Sequence, residues 1–149
     1  MESDHPVKRV REALQGRERD CIAVNEHSVL ILGEHQFYRG YCVLWAREPV
    51  RELHQLAPSA YAGYLSELRR ACEAVERAYA PWKLNLASLG NQVGHLHIHI
   101  FPRYEDEPSR LEQPWVNAAK FSAPSAEERG RAVAALRGAL DSLPGGKPA

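Results

Sequence analysis

Two periods of apolar and polar positions succeed one another along the chain, and the changes between them mark its elements. "PVKRVREALQG" (residues 6–16) sets Val7, Val10 and Leu14 on one side of a short helix that stops at Gly16. "CIAV" (21–24) and "SVLIL" (28–32) read as two short strands around the polar turn Asn25-Glu26-His27. "YCVLWA" (41–46) is a third strand, entered from the turn Arg39-Gly40 and ended by Pro49. Beyond Pro58 the period lengthens. Tyr61, Tyr64, Leu65, Leu68, Cys72, Val75 and Tyr79 recur at three and four residues, the stripe of a core-facing helix. Arg69, Arg70, Glu73, Glu76 and Arg77 fill mostly its other face, and Pro81 forbids continuation. "WKLNLASL" (82–89) predicts a fourth strand. After the turn "GNQVG" a fifth runs over 95–101 and ends at Pro102.

Residues 105–124 form a long, irregular, proline-containing segment. A last helix, over about 125–143, opens on Ser125 with Glu128 three residues later, a capping-box signature. It directs Val133, Leu136 and Leu140 inward, and the tail 144–149 is expected to be disordered. Strands in succession, with one long helix between the third and fourth, predict an α+β fold with a mainly antiparallel sheet. At 149 residues the chain has a one-domain length, sufficient for its own core.

Charge and cysteines narrow the context. Nineteen basic residues balance nineteen acidic ones, so nothing draws the chain toward nucleic acid or an anionic membrane. Cys21, Cys42 and Cys72 are odd in number, far apart and without a CxxC pair, which argues against both a disulfide framework and a cysteine-built zinc site. The N-terminus lacks the apolar stretch of a signal peptide, and "VLIL" and "VLWA" are far too short to span a bilayer. A reducing cytoplasm is the expected compartment. Among the tryptophans, Trp45 is expected in the core and Trp82 at a strand entrance, while Trp115 either simply packs or stacks on a base or closes a partner's site.

The chemistry concentrates in "VGHLHIHIFPRY" (93–104). Alternate residues of a strand share a face, so His95, His97, His99 and Phe101 project together while Leu96, Ile98 and Ile100 point into a core. Three causes compete. Buried structural histidines would each need partners for two ring nitrogens. A metal could be held by a His-X-His pair, but the first and third imidazoles lie roughly 13 Å apart at about 3.3 Å per residue. A further ligand such as His35 or His54 would be required, and no spacing identifies it. Nucleophilic catalysis fits best: a neutral imidazole attacks phosphorus near neutral pH while its neighbours donate hydrogen bonds to phosphate oxygens. The adjoining turn adds backbone amides and the side-chain amides of Asn91 and Gln92, neutral donors suited to phosphate.

His95-Leu96-His97-Ile98-His99-Ile100-Phe101 resembles the His-φ-His-φ-His-φ-φ signature of the histidine-triad (HIT) family of nucleotide hydrolases and transferases. "LNLASLGNQVGHLHIHIFPR" resembles the family's whole asparagine-strand, glycine-turn and triad unit, "FYRGYCVLWAREPVREL" its strand and helix entry, and "PWVN" a segment of a bacterial branch. The resemblance covers roughly residues 20–117 of a single domain spanning 1–149. It implies a HIT-like fold, an antiparallel sheet of about five strands, and a homodimer. It also implies that His97 attacks the α-phosphate of a nucleotide to form a covalent nucleotidyl-histidine, which water then releases. His99 would bond the phosphate or leaving group, and His95 would help orient His97. Asn85, Asn91 and Gln92 match phosphate- and ribose-contacting positions, and Glu34 stands where many members place a ribose-binding Asn or Asp. No metal or other cofactor is implied for the attack, although magnesium could accompany a polyphosphate substrate.

Two departures from the pattern stand out: Tyr41 occupies the place of a fourth histidine after the turn, and Glu34 and His35 stand at the ribose-binding Asn or Asp position. Ile98, where the uridylyltransferases have the proline of a His-Pro-His centre, sets that branch aside. Two other classes of function remain at this stage: a nucleotide-binding sensor without turnover, and a histidine-ligated metal protein.

Overall fold

The computed structural model describes residues 5–145. Helix α1 (His5–Leu14) leads into strands β1 (Cys21–Val24), β2 (Ser28–Leu32) and β3 (Cys42–Ala46). Helix α2 (Pro58–Tyr79) separates these from β4 (Lys83–Ala87) and β5 (His97–Arg103), and α3 (Ala126–Asp141) closes the chain. The five strands form one antiparallel sheet in the order β1-β2-β3-β5-β4. The fold is therefore α+β, with the long helix between the third and fourth strands as the periodicity predicts.

The sheet is covered on both faces. Leu30, Leu32, Leu44, Ile98 and Ile100 pack under α2 and α3, joined by Tyr64, whose hydroxyl donates to the Leu44 carbonyl at 2.8 Å. Val29, Ile31, Val43 and Trp45 pack on the opposite face beneath Val10 and Ala13 of α1. Every residue of β2 and β3 is consequently buried. Strands covered on both sides have no reason to alternate, which is why "SVLIL" does not.

Several boundaries and faces differ from expectation. β5 continues through Pro102 to Arg103, because pairing with β3 ends at Ile100 and Pro102 then has a neighbour only in β4. An edge position tolerates the missing N–H. Leu14 and Tyr61 are exposed rather than inward. The buried positions of α2 include Ala60, Ala71 and Ala74, small residues on a helix packed against Ala132 and Ala139 of α3. Trp82 is also exposed, with the Arg110 guanidinium 5.5 Å from its ring centre, whereas Trp45 is buried as expected. The capping box forms: Ser125 Oγ accepts from the Glu128 N–H at 3.2 Å, and Glu128 accepts from the Ser125 N–H at 2.7 Å. Most of the expected disordered tail, residues 146–149, lies outside the described residues.

Segment 104–124 is held by one buried cation. Arg103, fully buried, donates to Asn85 Oδ1 at 2.7 Å, to the carbonyls of Glu112 and Ser109 at 2.6 and 2.8 Å, and to both carboxylate oxygens of Glu107. Its guanidinium also lies 5.0 Å over the Tyr38 ring, and the Tyr38 hydroxyl donates to the Pro114 carbonyl at 2.7 Å. These contacts bring the short helical turn Pro114–Lys120 against the sheet, with Asn117 buried.

Candidate active site

The pairings Trp45↔His97 and Val43↔His99 put two of the three histidines near the middle of the sheet, on the face that α1 partly covers. His97 is 7% exposed and its ring stacks on Trp45, centres 4.3 Å apart. Its Nδ1 lies 2.7 Å from the main-chain carbonyl of His95. A carbonyl can only accept, so Nδ1 carries the proton and Nε2 keeps its lone pair. Burial holds the His97 pKa below the usual 6.5; the hydrogen bond to His95 opposes that shift and the His95 imidazole adds to it.

His99 meets His97 edge-on at 4.9 Å. Its Nδ1 is 2.7 Å from the Tyr41 hydroxyl. Burial lowers its pKa to about 4, helped by the nearby His97 and His35. Tyr41 is itself held on all sides. Its ring stacks on Phe101 at 4.3 Å and on His35 at 4.7 Å, and lies where a side chain at position 33 would be. A Cβ on Gly33 would fall 2.0 Å from that ring, so glycine is required there by space alone.

His95 precedes β5, and its ring turns aside to donate from Nε2 to the Ala46 carbonyl at 2.6 Å. Its contact with His97 Nδ1 is made by the main-chain carbonyl.

A cavity of about 500 Å³ opens over His97 and His99. Asn91 and Gln92 line it, and the turn that carries them depends on Gly90, whose φ of 64° suits glycine. Glu34 also lines it, with its side chain 70% exposed and 3.8 Å from Arg9 Nη1. Asn85 does not belong to this group. Its carbonyl is taken by Arg103, because the β4–β5 register sets Asn85 beside that guanidinium rather than at the cavity.

Other walls come from α1, from His35 and from segment 104–124, and of these the sequence offers a binding role only for Trp115 and a ligand role only for His35. Pro6 and Arg9 of α1 reach the cavity, and Arg9 is fixed by Glu18 at 3.1 Å and Asp20 at 3.3 Å. Trp115 sets its edge against His99 at 5.4 Å, and Phe121 stacks on His35 at 3.6 Å. His35, with its Nδ1 buried and lacking a protein partner, also lines the cavity. The doubly apolar β2 and β3 were the available signal, since they require a second covering layer.

Acid stability follows from these burials. His35 and His99 both have pKa values near 4, lowered by burial, against 6.5 for an unconstrained histidine. Between those values the unfolded chain binds protons that the folded one does not, so stability should fall as pH drops from about 6.5 toward 4. Urea midpoints across this window should decline, and the decline should shrink in His99→Gln. Unchanged midpoints would contradict the burial of neutral imidazoles.

Among the described residues, no group of three His, Cys, Asp or Glu side chains is arranged to hold a metal ion, and no helix is long and apolar enough to cross a membrane.

The HIT domain model matches residues 16–106. The fold is similar to a histidine triad protein from Bradyrhizobium japonicum at 26% identity and a TM-score of 0.74, covering 86% of this chain and 94% of that one. A histidine triad protein from Marinobacter aquaeolei has 23% identity and a TM-score of 0.74, with 89% and 95% covered. The diadenosine triphosphate hydrolase of Plasmodium falciparum is a more distant match, at 14% identity, a TM-score of 0.61, and 83% and 78% covered. No curated protein matches the sequence significantly.

Proposed function

The chain belongs to the histidine triad (HIT) family, and from that premise we propose that it is a nucleotide hydrolase whose nucleophile is His97 Nε2. The observation that carries this reading is the tautomer of His97, with Nδ1–H bonded to the His95 carbonyl and Nε2 left with a lone pair beside the cavity. The substrate class is a nucleoside phosphoramidate, a dinucleoside polyphosphate or a related nucleoside 5′-phosphate derivative. Nε2 attacks the α-phosphorus, an N–P bond forms, and the bond to the leaving group breaks with its electron pair going to that group. Water then attacks the same phosphorus. The N–P electrons return to Nε2, and the nucleoside monophosphate leaves with one proton released.

The surroundings support this reading. A cavity of about 500 Å³ falls within the size range of small-molecule sites. Asn91 and Gln92 offer neutral donors, and His99 lies 4.9 Å from His97 for contact with the phosphoryl oxygens. One structural neighbour is a diadenosine triphosphate hydrolase. Magnesium could ride on a polyphosphate chain, and the attack itself needs no metal. The reading includes a reducing cytoplasm, supported by three unpaired cysteines. It also includes a homodimer, supported by the free edge of β4 with Leu86 and Leu89 exposed.

The direct test is turnover of diadenosine polyphosphates, with and without magnesium, as a function of pH. The expected result is release of AMP, with the acid limb of kcat/KM midway below 6.5, because neutral His97 is required and burial lowers its pKa. Nucleotide binding without turnover would favour the sensor. An acid limb above 6.5 would remove His97 as the nucleophile.

A further inference from the structure

Resting on the nucleotidyl-transfer reading above, we propose that Tyr41 is a positioning residue that fixes His99 in its Nε2–H tautomer, so that the site favours leaving groups that depart as anions, such as phosphates, over amines. The first step is geometric. The Tyr41 hydroxyl and His99 Nδ1 are 2.7 Å apart, and the stack of Phe101 and His35, with Gly33 beneath, leaves the phenol ring no alternative place. Among the described residues, the hydroxyl has no acceptor other than His99 Nδ1. If Nδ1 carried the proton, the buried phenol would have to leave its own O–H unpaired, at a cost of about 1–3 kcal/mol. Tyr41 therefore donates, Nδ1 accepts, and the one proton of neutral His99 resides on Nε2.

The two rings thus carry opposite tautomers. His97 offers a bare Nε2, while His99 offers an Nε2–H as a hydrogen-bond donor. Both residues line the same cavity.

The second step is an inventory of protons. A phosphate leaves as a stable anion and needs none. An amine expelled from a phosphoramidate must receive a proton as its P–N bond breaks. The groups around His99 lack one to spare. Burial keeps His99 neutral down to about pH 4, and the buried Tyr41 phenol is pushed above its ordinary range. The proton on His97 Nδ1 is engaged by the His95 carbonyl. His35 is held neutral to about the same pH as His99. Arg9 is engaged by Glu18 and Asp20, and Glu34 lies at the rim with its side chain 70% exposed. Trp115 and Phe101 bring only aromatic edges and faces.

The test has two parts. In the folded wild-type protein, the ring nitrogens of His99 are assigned by nitrogen-15 NMR, with and without Tyr41→Phe. The expected result is a protonated Nε2 and a bare Nδ1 in the wild type, with the other tautomer appearing in the variant. A protonated Nδ1 in the wild type overturns the proposal whether or not the variant folds.

The second part measures kcat/KM over AMP derivatives whose leaving groups span p-nitrophenolate, pyrophosphate and simple amines. Wild type should cleave the amine derivatives roughly 10²–10⁴-fold more slowly than the anionic ones, the range that general-acid catalysis spans. In Tyr41→His, whose imidazole can carry a proton near neutral pH, the gap should narrow. In Tyr41→Phe, kcat should fall on all substrates, with KM little changed. Equal wild-type rates on amines and anions overturn this proposal while leaving the hydrolase reading intact. No turnover of any derivative, p-nitrophenyl included, overturns both.

Discussion

His97→Ala is expected to lower kcat/KM by about 10⁴-fold or more, the scale of loss when a nucleophile is removed from residues that act as a unit. Neither neighbouring imidazole of the triad is placed to substitute. His95 has its Nε2 proton committed to the Ala46 carbonyl, and His99 has its Nδ1 committed to Tyr41. Binding should survive better than turnover, because Asn91, Gln92 and the cavity walls remain. The substitution also removes a ring packed on Trp45, so some stability will be lost. His97→Gln, which keeps more of the volume, separates the two effects: it should restore most of the urea midpoint and none of the turnover. Activity in either variant within tenfold of wild type would contradict nucleophilic catalysis at this position.

Arg103→Met should be the most destabilising single change, by about 3–5 kcal/mol, because removing one member of a buried ion pair strands the other. Glu107, with only 9% of its side chain exposed, would lose its counter-charge, and Asn85 Oδ1 and the carbonyls of Ser109 and Glu112 would lose their donor. The pair also has a pH signature. Burial acts to raise the Glu107 pKa, but the Arg103 and Ser109 hydrogen bonds and the Arg103 charge outweigh it, and the net direction is downward. Its stabilisation is therefore complete above the ordinary carboxylate range and is lost as pH falls through the lowered value. Arg103→Met should abolish that acid transition and reduce amide-exchange protection across residues 104–120. Since this segment carries Trp115 to the edge of His99, KM should rise as well. Wild-type protection of the segment in the variant would show that it is held by something else.

What the sequence made legible follows from how locally each feature is encoded. The α2 stripe, the strands and the capping box are periodic or short-range patterns, and they appear where the pattern puts them. The shared face of His97 and His99 follows from a period of two. Faces set by partners were harder. Leu14 and Tyr61 fit the apolar stripes but point to solvent, while Ala60, Ala71 and Ala74 are buried, Ala74 in a cluster with Ala139 of α3.

The site's connections were least visible of all. Asn85 shares the motif with the histidines, yet its fate is decided by Arg103, which at a strand end reads as an ordinary solvated cation. The contact by which His95 orients His97 is made by its carbonyl, and main-chain hydrogen bonds leave no mark in residue identity. Arg9 and Phe121 enter the cavity from outside residues 16–106, where no motif announced them.

The central claim is a phosphorus–nitrogen bond on one histidine. Wild-type protein mixed with a diadenosine polyphosphate, quenched without acid and digested, should yield a peptide carrying one adenylyl group, mapped by mass spectrometry to His97. It should accumulate and decay on the timescale of turnover and be absent from His97→Gln. An adenylyl group on another residue, or turnover with no adduct at the shortest times, would contradict the account.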